Sequence, residues 1–325
     1  MGRGAILEQR RSHLRAGVAP VLSRMTPMSG LWMLVAAVLF SIMGAMVKVA
    51  LQQYGVLEIV FYRSLIGVVS LYAFVLWRRE TLATPVAKTH LTRGVVGTAA
   101  LALWFYATGA LPLGTAMTLN YTSPLFLAAL AAAAALRAGD RIDWRLVAAI
   151  LVGFVGVVLL LQPTYSDDQA IASAAGLVSG VLSAIAYWYV RTLGKLGEPE
   201  WRTVFYFALS GTVLGFIGTV IGGFSAHDAR GLTLLVGVGV TATLAQLAMT
   251  RAYAYGNTLV VANLQFAAVV AASLIGIAAF GDHIPLVGWI GIATIIVSGV
   301  ASTVLVAHQR VAATTGPSEP KLPRE

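Results

Sequence analysis

Long apolar runs separated by short polar, Gly- or Pro-bearing stretches make up most of the chain. A bilayer-crossing helix takes about 20 mostly apolar residues. Ten runs meet that length, near residues 30–51, 57–77, 92–110, 113–136, 143–161, 170–191, 202–222, 231–251, 257–280 and 285–306. The stretch Gly94–Leu136 carries no charge and is too long for one helix, so a tight turn at Pro112 and Gly114 is predicted to split it. The pattern predicts an all-α membrane protein with ten transmembrane helices, solvated by the lipid bilayer.

The runs repeat. Val60-Phe61-Tyr62-Arg63-Ser64-Leu65-Ile66-Gly67 aligns with Val204-Phe205-Tyr206-Phe207-Ala208-Leu209-Ser210-Gly211 at an offset of 144 residues. Gly114 aligns with Gly256, and Gly139-Asp140 with Gly281-Asp282, at an offset of 142. Each copy holds five spans, an odd number, so the second must enter the membrane upside down. The expected division is a basic cytoplasmic tail at 1–29, a first five-helix repeat at 30–161, a second at 170–306, and a disordered cytoplasmic tail at 307–325. Inverted repeats of this kind build carriers whose binding site lies near the bilayer midplane.

Charge fixes the orientation. Of 22 Lys and Arg, 19 fall on one side of the ten spans, one (Arg230) on the other, and two, Lys48 and Arg63, inside spans. The positive-inside rule puts the rich side, with both termini, in the cytoplasm. The setting is then an inner or plasma membrane. The charge-free run Met25–Val47 is too long for a cleaved signal and reads as a retained first span.

Composition agrees and removes function classes. The chain is 58% hydrophobic and 11% charged, against about 25% charged in soluble domains. The net charge of +9 sits in loops between spans, so it speaks for orientation and against a nucleic-acid partner. There is no cysteine, and the five histidines (His13, His90, His227, His283, His308) show no ligand spacing. No metal, no other cofactor and no catalytic residue is expected. Without a nucleotide-binding loop, ATP does not drive this chain alone.

These features resemble the drug/metabolite transporter superfamily, in particular its ten-span EamA-type members. The residues that carry the likeness are Phe61-Tyr62-Arg63-Ser64, the Ala110-Leu111-Pro112-Leu113-Gly114-Thr115-Ala116 turn, the Gly139-Asp140 and Gly281-Asp282 turns, and the Gly-rich ends of the fifth and tenth spans. The family usually has Glu in those turns, where this chain has Asp. The resemblance implies carriage, often export, of small metabolites.

Candidate residues follow from polarity inside spans. Only 14 charge-free residues lie between Ser64 and Trp77, so the second span must take in Glu58–Tyr62 and hold Arg63 more than a turn deep. An arginine there costs about 2.5–3.5 kcal/mol on insertion scales and faces protein or water. It is expected to attract an anionic or zwitterionic group, or else to snorkel and pair with Glu58 and carbonyls. Asn120, Tyr121 and Ser123 lie mid-way along the fourth span and Asn263 and Gln265 along the ninth, and at offset 142 Tyr121 falls on Asn263 and Ser123 on Gln265. They read either as one cavity lined from both halves or as interhelical hydrogen bonds. Tyr62, Trp104 and Tyr106 complete the substrate-binding set, suited to an aromatic solute. Lys48 and Glu58 are the candidate gating ion pair, while Tyr187–Tyr189 read as an interfacial belt. Glu58 is the lone carboxylate within a span, which favours exchange or facilitated transport over proton coupling.

The leading reading is a secondary transporter, exporter or exchanger, of an anionic, zwitterionic or aromatic small-molecule metabolite by alternating access. A non-transporting membrane scaffold is an alternative. A lipid-acting enzyme built on Asp282-His283 ranks below both, and oligomeric state is not encoded in any of these features.

Overall fold

A computed structural model describes residues 28–111, 113–139, 141–163, 169–280 and 283–315. Among them every regular element is helical. In chain order these are α1 (Met28–Ala50), α2 (Val56–Arg78), α3 (Ala87–Ala110), α4 (Leu113–Asn120), α5 (Ser123–Ala138), α6 (Trp144–Leu161), α7 (Ala170–Lys195), α8 (Glu200–Gly222), α9 (Ala229–Tyr255), α10 (Thr258–Leu264), α11 (Ala267–Ile275) with a π-helical turn Gly276–Phe280, and α12 (Leu286–Thr315). Among the described residues nine helices are long and apolar enough to cross a membrane.

Local chemistry explains the ends. Asp143 caps α6 by accepting from the Arg145 amide, Asp228 caps α9 by accepting from Gly231, and Asn257 caps α10 by accepting from Leu259 and Val260. Arg79 ends α2 in the left-handed region, its amide bonded to the Leu76 and Val75 carbonyls. α3 ends at Ala110 and α4 starts at Leu113, while Pro112, Asp140 and Gly281-Asp282 lie outside the described residues.

Two departures from the sequence pattern matter. α3 begins at Ala87, five residues before its apolar run, so Lys88, His90 and Arg93 belong to a helix rather than a loop. α12 continues to Thr315, past the expected limit at 306.

Two helices break in mid-course, at Tyr121–Thr122 and at Gln265–Phe266. Pro124 lacks the amide that a continuous helix would need, which accounts for the first break. The freed groups are satisfied nearby. The Leu125 amide reaches the Thr122 carbonyl at 3.0 Å, and Thr122 Oγ1 donates to the Leu119 carbonyl at 2.6 Å. At the second break Ser41 Oγ on α1 donates to the Ala268 carbonyl at 2.7 Å. Such satisfaction is what lets broken backbone persist at membrane depth.

The helices pair as α1 with α9, α3 with α7, α2 with α8 and α6 with α12. A second set joins α3 with α8, α2 with α9, α11 with α1, and α4 and α5 with α7. The α2–α8 pair lies on one side and α6–α12 on the other, with α1, α3, α7, α9 and the broken helices between. At the α6–α12 crossing, backbone meets backbone: a Cβ on Gly156 would stand 2.8 Å from the Gly291 carbonyl, and one on Gly291 2.6 Å from the Gly156 carbonyl. Small residues are what permit such approach in lipid. The outer surface is apolar, with Val155 on α6, Ile221 on α8 and Val297 on α12 exposed.

Candidate functional site

A central cavity of about 140 Å³ opens among α1, α2, α3, α4, α7, α8, α9 and α11. It runs along α3 from Arg93 through Trp104 to Thr108, and reaches Lys48 near the end of α1. Its polar wall comes from both halves of the chain: Arg63, Arg93, Asn120 and Tyr121 from the first, Tyr187, Gln246 and Gln265 from the second. Phe40, Met43, Phe105 and Met117 supply apolar wall.

Arg63 and Arg93 are 4% and 2% exposed. Both guanidiniums sit over the Phe207 ring, with Cζ 5.4 Å from its centroid for Arg63 and 3.8 Å for Arg93. The sum of those two distances is the most that can separate them. Like charges that close repel by roughly 2 kcal/mol or more at an effective dielectric near 20. The ring's negative face offsets part of this. Arg93 Nη2 donates to Gln246 Oε1 at 3.1 Å. Arg93 Nε and Nη1 and Arg63 Nε are buried without a hydrogen-bond partner, as is the Trp104 indole nitrogen. Among the described residues neither arginine joins an ion pair with a carboxylate.

One end of the cavity is shut. The Tyr187 and Tyr253 rings stack with centroids 5.4 Å apart and 16° between planes. Gln265 ties them, donating to Tyr187 Oη at 3.1 Å and accepting from Tyr253 Oη at 3.3 Å. Fully buried Leu127 and Met249 pack in the same cluster. Tyr253 lines a second cavity beyond, with Arg141, Arg191, Lys195, Glu200 and Asn257 on its wall.

Charged groups also tie the two halves at the ends of α2 and α8. Glu58 accepts from the Ser225 amide at 3.2 Å and the Ser225 hydroxyl at 2.6 Å, with His227 at 3.5 Å. Glu198 meets His90 at 3.1 Å, Arg202 at 3.0 Å and the Thr84 hydroxyl at 2.8 Å. Burial raises the Glu198 pKa, but those three hydrogen bonds outweigh it and hold the carboxyl below its usual range.

The predicted residues divide. Arg63, Lys48, Trp104, Asn120, Tyr121 and Gln265 line the cavity. Tyr106 does not: it is 45% exposed on the outer face of α3. Tyr62 turns to His227 and Phe61. Ser123 is fully buried at the α5 start, away from the cavity wall. Glu58 meets Ser225 and His227 and is not on the central cavity wall that carries Lys48.

Asn263 is a structural tie. Its amide donates to the Ser298 carbonyl at 2.9 Å and the Ser302 hydroxyl at 3.1 Å, and its carbonyl accepts from the Ser298 hydroxyl at 2.9 Å. At about 0.6 kcal/mol per interhelical bond, Asn263→Ala is expected to lower stability by about 2 kcal/mol and leave solute affinity unchanged. Thermal unfolding and ligand titration in detergent check both halves of that statement.

Sequence reasoning missed Arg93, Tyr187, Phe207 and Gln246. In the sequence Arg93 stands at the edge of the 92–110 run among the cytoplasmic charges, and Tyr187 reads as an interfacial aromatic. The helical spacing of Ser183 and Tyr187 was the available signal for the latter, since both share the cavity face.

A bundle of broken and unbroken membrane-length helices around a solute-sized, two-sided cavity defines a polytopic carrier class. The EamA-like transporter family model matches residues 27–162. The pseudopaline exporter CntI of Pseudomonas aeruginosa (strain PAO1) is 30% identical over 236 residues, 72% of this chain and 81% of that protein. The chain belongs to the EamA-like transporter family, within the drug/metabolite transporter superfamily. A riboflavin transporter of Vibrio cholerae is 29% identical over 278 residues, covering 84% of this chain and 92% of the relative. A crystal structure at 20% identity superposes with a TM-score of 0.74 over 86% of this chain and 98% of the other, which shows a shared fold.

Proposed function

We propose that the chain is a secondary carrier of small organic metabolites in an inner or plasma membrane, an exporter or exchanger that works by alternating access. The observation that carries this reading is the central cavity, lined from both halves and shut at one end only by Tyr187, Tyr253 and Gln265. The relatives named above are an exporter of pseudopaline and a transporter of riboflavin.

The architecture is ten spans in two inverted repeats, α1–α6 and α7–α12, with each broken helix and its continuation counted as one span. The packing supports it. Exchanging the halves turns the α1–α9 pair into α7–α3 and the α3–α8 pair into α9–α2, while α2–α8 and α6–α12 map onto themselves. The two breaks sit 144 residues apart, the offset of the Val-Phe-Tyr motif.

With both termini cytoplasmic, the shut end faces the cytoplasm and the Lys48–Thr108 end faces out. Rocking of the halves would then open Tyr187–Tyr253 and close the outer end, a shift between two states that the solute biases. Among the described residues no carboxylate lines the central cavity, which favours exchange or facilitated transport.

The natural absence of cysteine makes a direct test available. Thr108→Cys, on the central cavity, is expected to react with a membrane-impermeant thiol reagent from outside. Ala132→Cys, on the second cavity, is expected to react from the cytoplasmic side. A transported solute added to proteoliposomes should change both rates in opposite directions. Reaction of Thr108→Cys from the cytoplasm alone would sink the orientation, and absence of flux for any solute in a broad panel would sink carriage.

A further inference from the structure

We propose that Arg63 and Arg93, both held against the Phe207 ring on the cavity wall, are the seat for the carboxylate of an organic acid with an apolar or aromatic body; this rests on the carrier reading of the same cavity. Two guanidiniums are buried within a few ångströms of one ring, and among the described residues no carboxylate answers them. A buried, uncompensated charge is strongly unfavourable. Two of them on one wall persist where water or an anion completes their coordination.

The free donors point to the ligand. Arg93 spends one nitrogen on Gln246 and keeps Nε and Nη1 unpartnered, while Arg63 keeps Nε. On each guanidinium Nε–H lies beside Nη2, and that edge matches a planar carboxylate with two parallel hydrogen bonds. On Arg63 the Nε of that edge is without a partner, whereas on Arg93 Nη2 already serves Gln246, so Arg93 adds single donors beside it. Gly97 makes room for the Arg93 guanidinium: a Cβ there would stand 2.6 Å from Nη1, so any larger residue would push the group out of place.

The rest of the wall sets the body of the solute. Trp104, Tyr121, Tyr187 and Phe105 surround the space next to the arginines. The Trp104 indole nitrogen, also without a partner, adds one neutral donor. Flat or greasy groups fit such a wall, and a cationic group is excluded by the paired guanidiniums. Both arginines belong to the first half of the chain, so the anion would stay with that half's wall as the halves move.

Calorimetry on the purified full-length chain in detergent reads the proposal, with indole-3-acetate, indole-3-acetamide and tryptamine as matched probes and a set of aliphatic monocarboxylates beside them. A charge-assisted hydrogen bond contributes enough that losing one costs about ten- to a hundredfold in affinity. The acid is therefore expected to bind at least about tenfold more tightly than the amide, with tryptamine weakest. Arg63→Gln and Arg93→Gln should each remove that preference, and Arg93→Lys should restore part of it. Equal affinity for acid and amide, tighter binding of the amine, or no carboxylate binding at all would overturn the proposal. The wild-type comparison stands even if a glutamine variant fails to fold. Liposome flux separates this proposal from the carrier reading. Movement of neutral or cationic solutes that Arg63→Gln does not alter overturns the seat and leaves carriage intact, whereas carboxylate binding without any flux keeps the seat and overturns carriage.

Discussion

Gly291→Val is expected to destabilise the protein by about 3 kcal/mol, the upper end for overpacking a well-packed contact. The reason is that nothing near Gly291 can yield. The added carbons would meet the Gly156 carbonyl at 2.6 Å and the Leu160 backbone nitrogen at 2.7 Å, both fixed in α6. Relief requires the two helices to separate along their whole crossing. A matched substitution, Gly109→Ala, faces open space and is expected to be nearly silent. Thermal unfolding of the two variants in one detergent checks the contrast. Equal melting temperatures would mean that α6 and α12 are free to slide apart, and that their crossing is not the rigid element described above.

Arg63→Met is expected to do the opposite to stability while sharply reducing transport. Replacing a buried charged group with an apolar residue of similar volume is often neutral or stabilising, by about 1–4 kcal/mol. Arg63 has no ion-pair partner among the described residues and sits close to a second guanidinium, so its removal relieves both desolvation and repulsion. The expected pair of results is a melting temperature raised by a few degrees and solute flux in proteoliposomes reduced at least about tenfold. A lowered melting temperature would show instead that Arg63 holds the fold together through carbonyls.

How far the sequence reached depended on how each residue's signal is generated. Apolar runs report burial in lipid directly, so the spans could be read from spacing. Arg63 was legible because only 14 charge-free residues follow it, which forces it into a helix. Arg93 was not, because the first turns of α3 are polar: Lys88, Thr89 and His90 imitate a loop although they are helical and His90 is buried against Glu198. Asn263 and Gln265 carry the same polar signal two residues apart but have unlike fates. Residues two apart on a helix lie on opposite faces, so Asn263 turns to α12 and Gln265 to the cavity. Periodicity separates them, but which of the two faces the cavity is set by the packing. Tyr187 looked like an interfacial aromatic because it lies near the end of a span. Its place on the cavity wall depends on the packing of α7 against α3 and α9, which is tertiary information.

Arg63 and Phe207 are the same position in the two copies, and they touch where α2 meets α8. On the inverted-repeat reading that contact lies at the axis relating the halves. Two identical subunits around such an axis would set arginine against arginine or ring against ring. Joining the halves in one chain lets the copies diverge at the point where they meet, so that a cation from one lies on the aromatic face of the other. Separately expressed halves of this protein would therefore assemble as a mixed pair in preference to either homodimer.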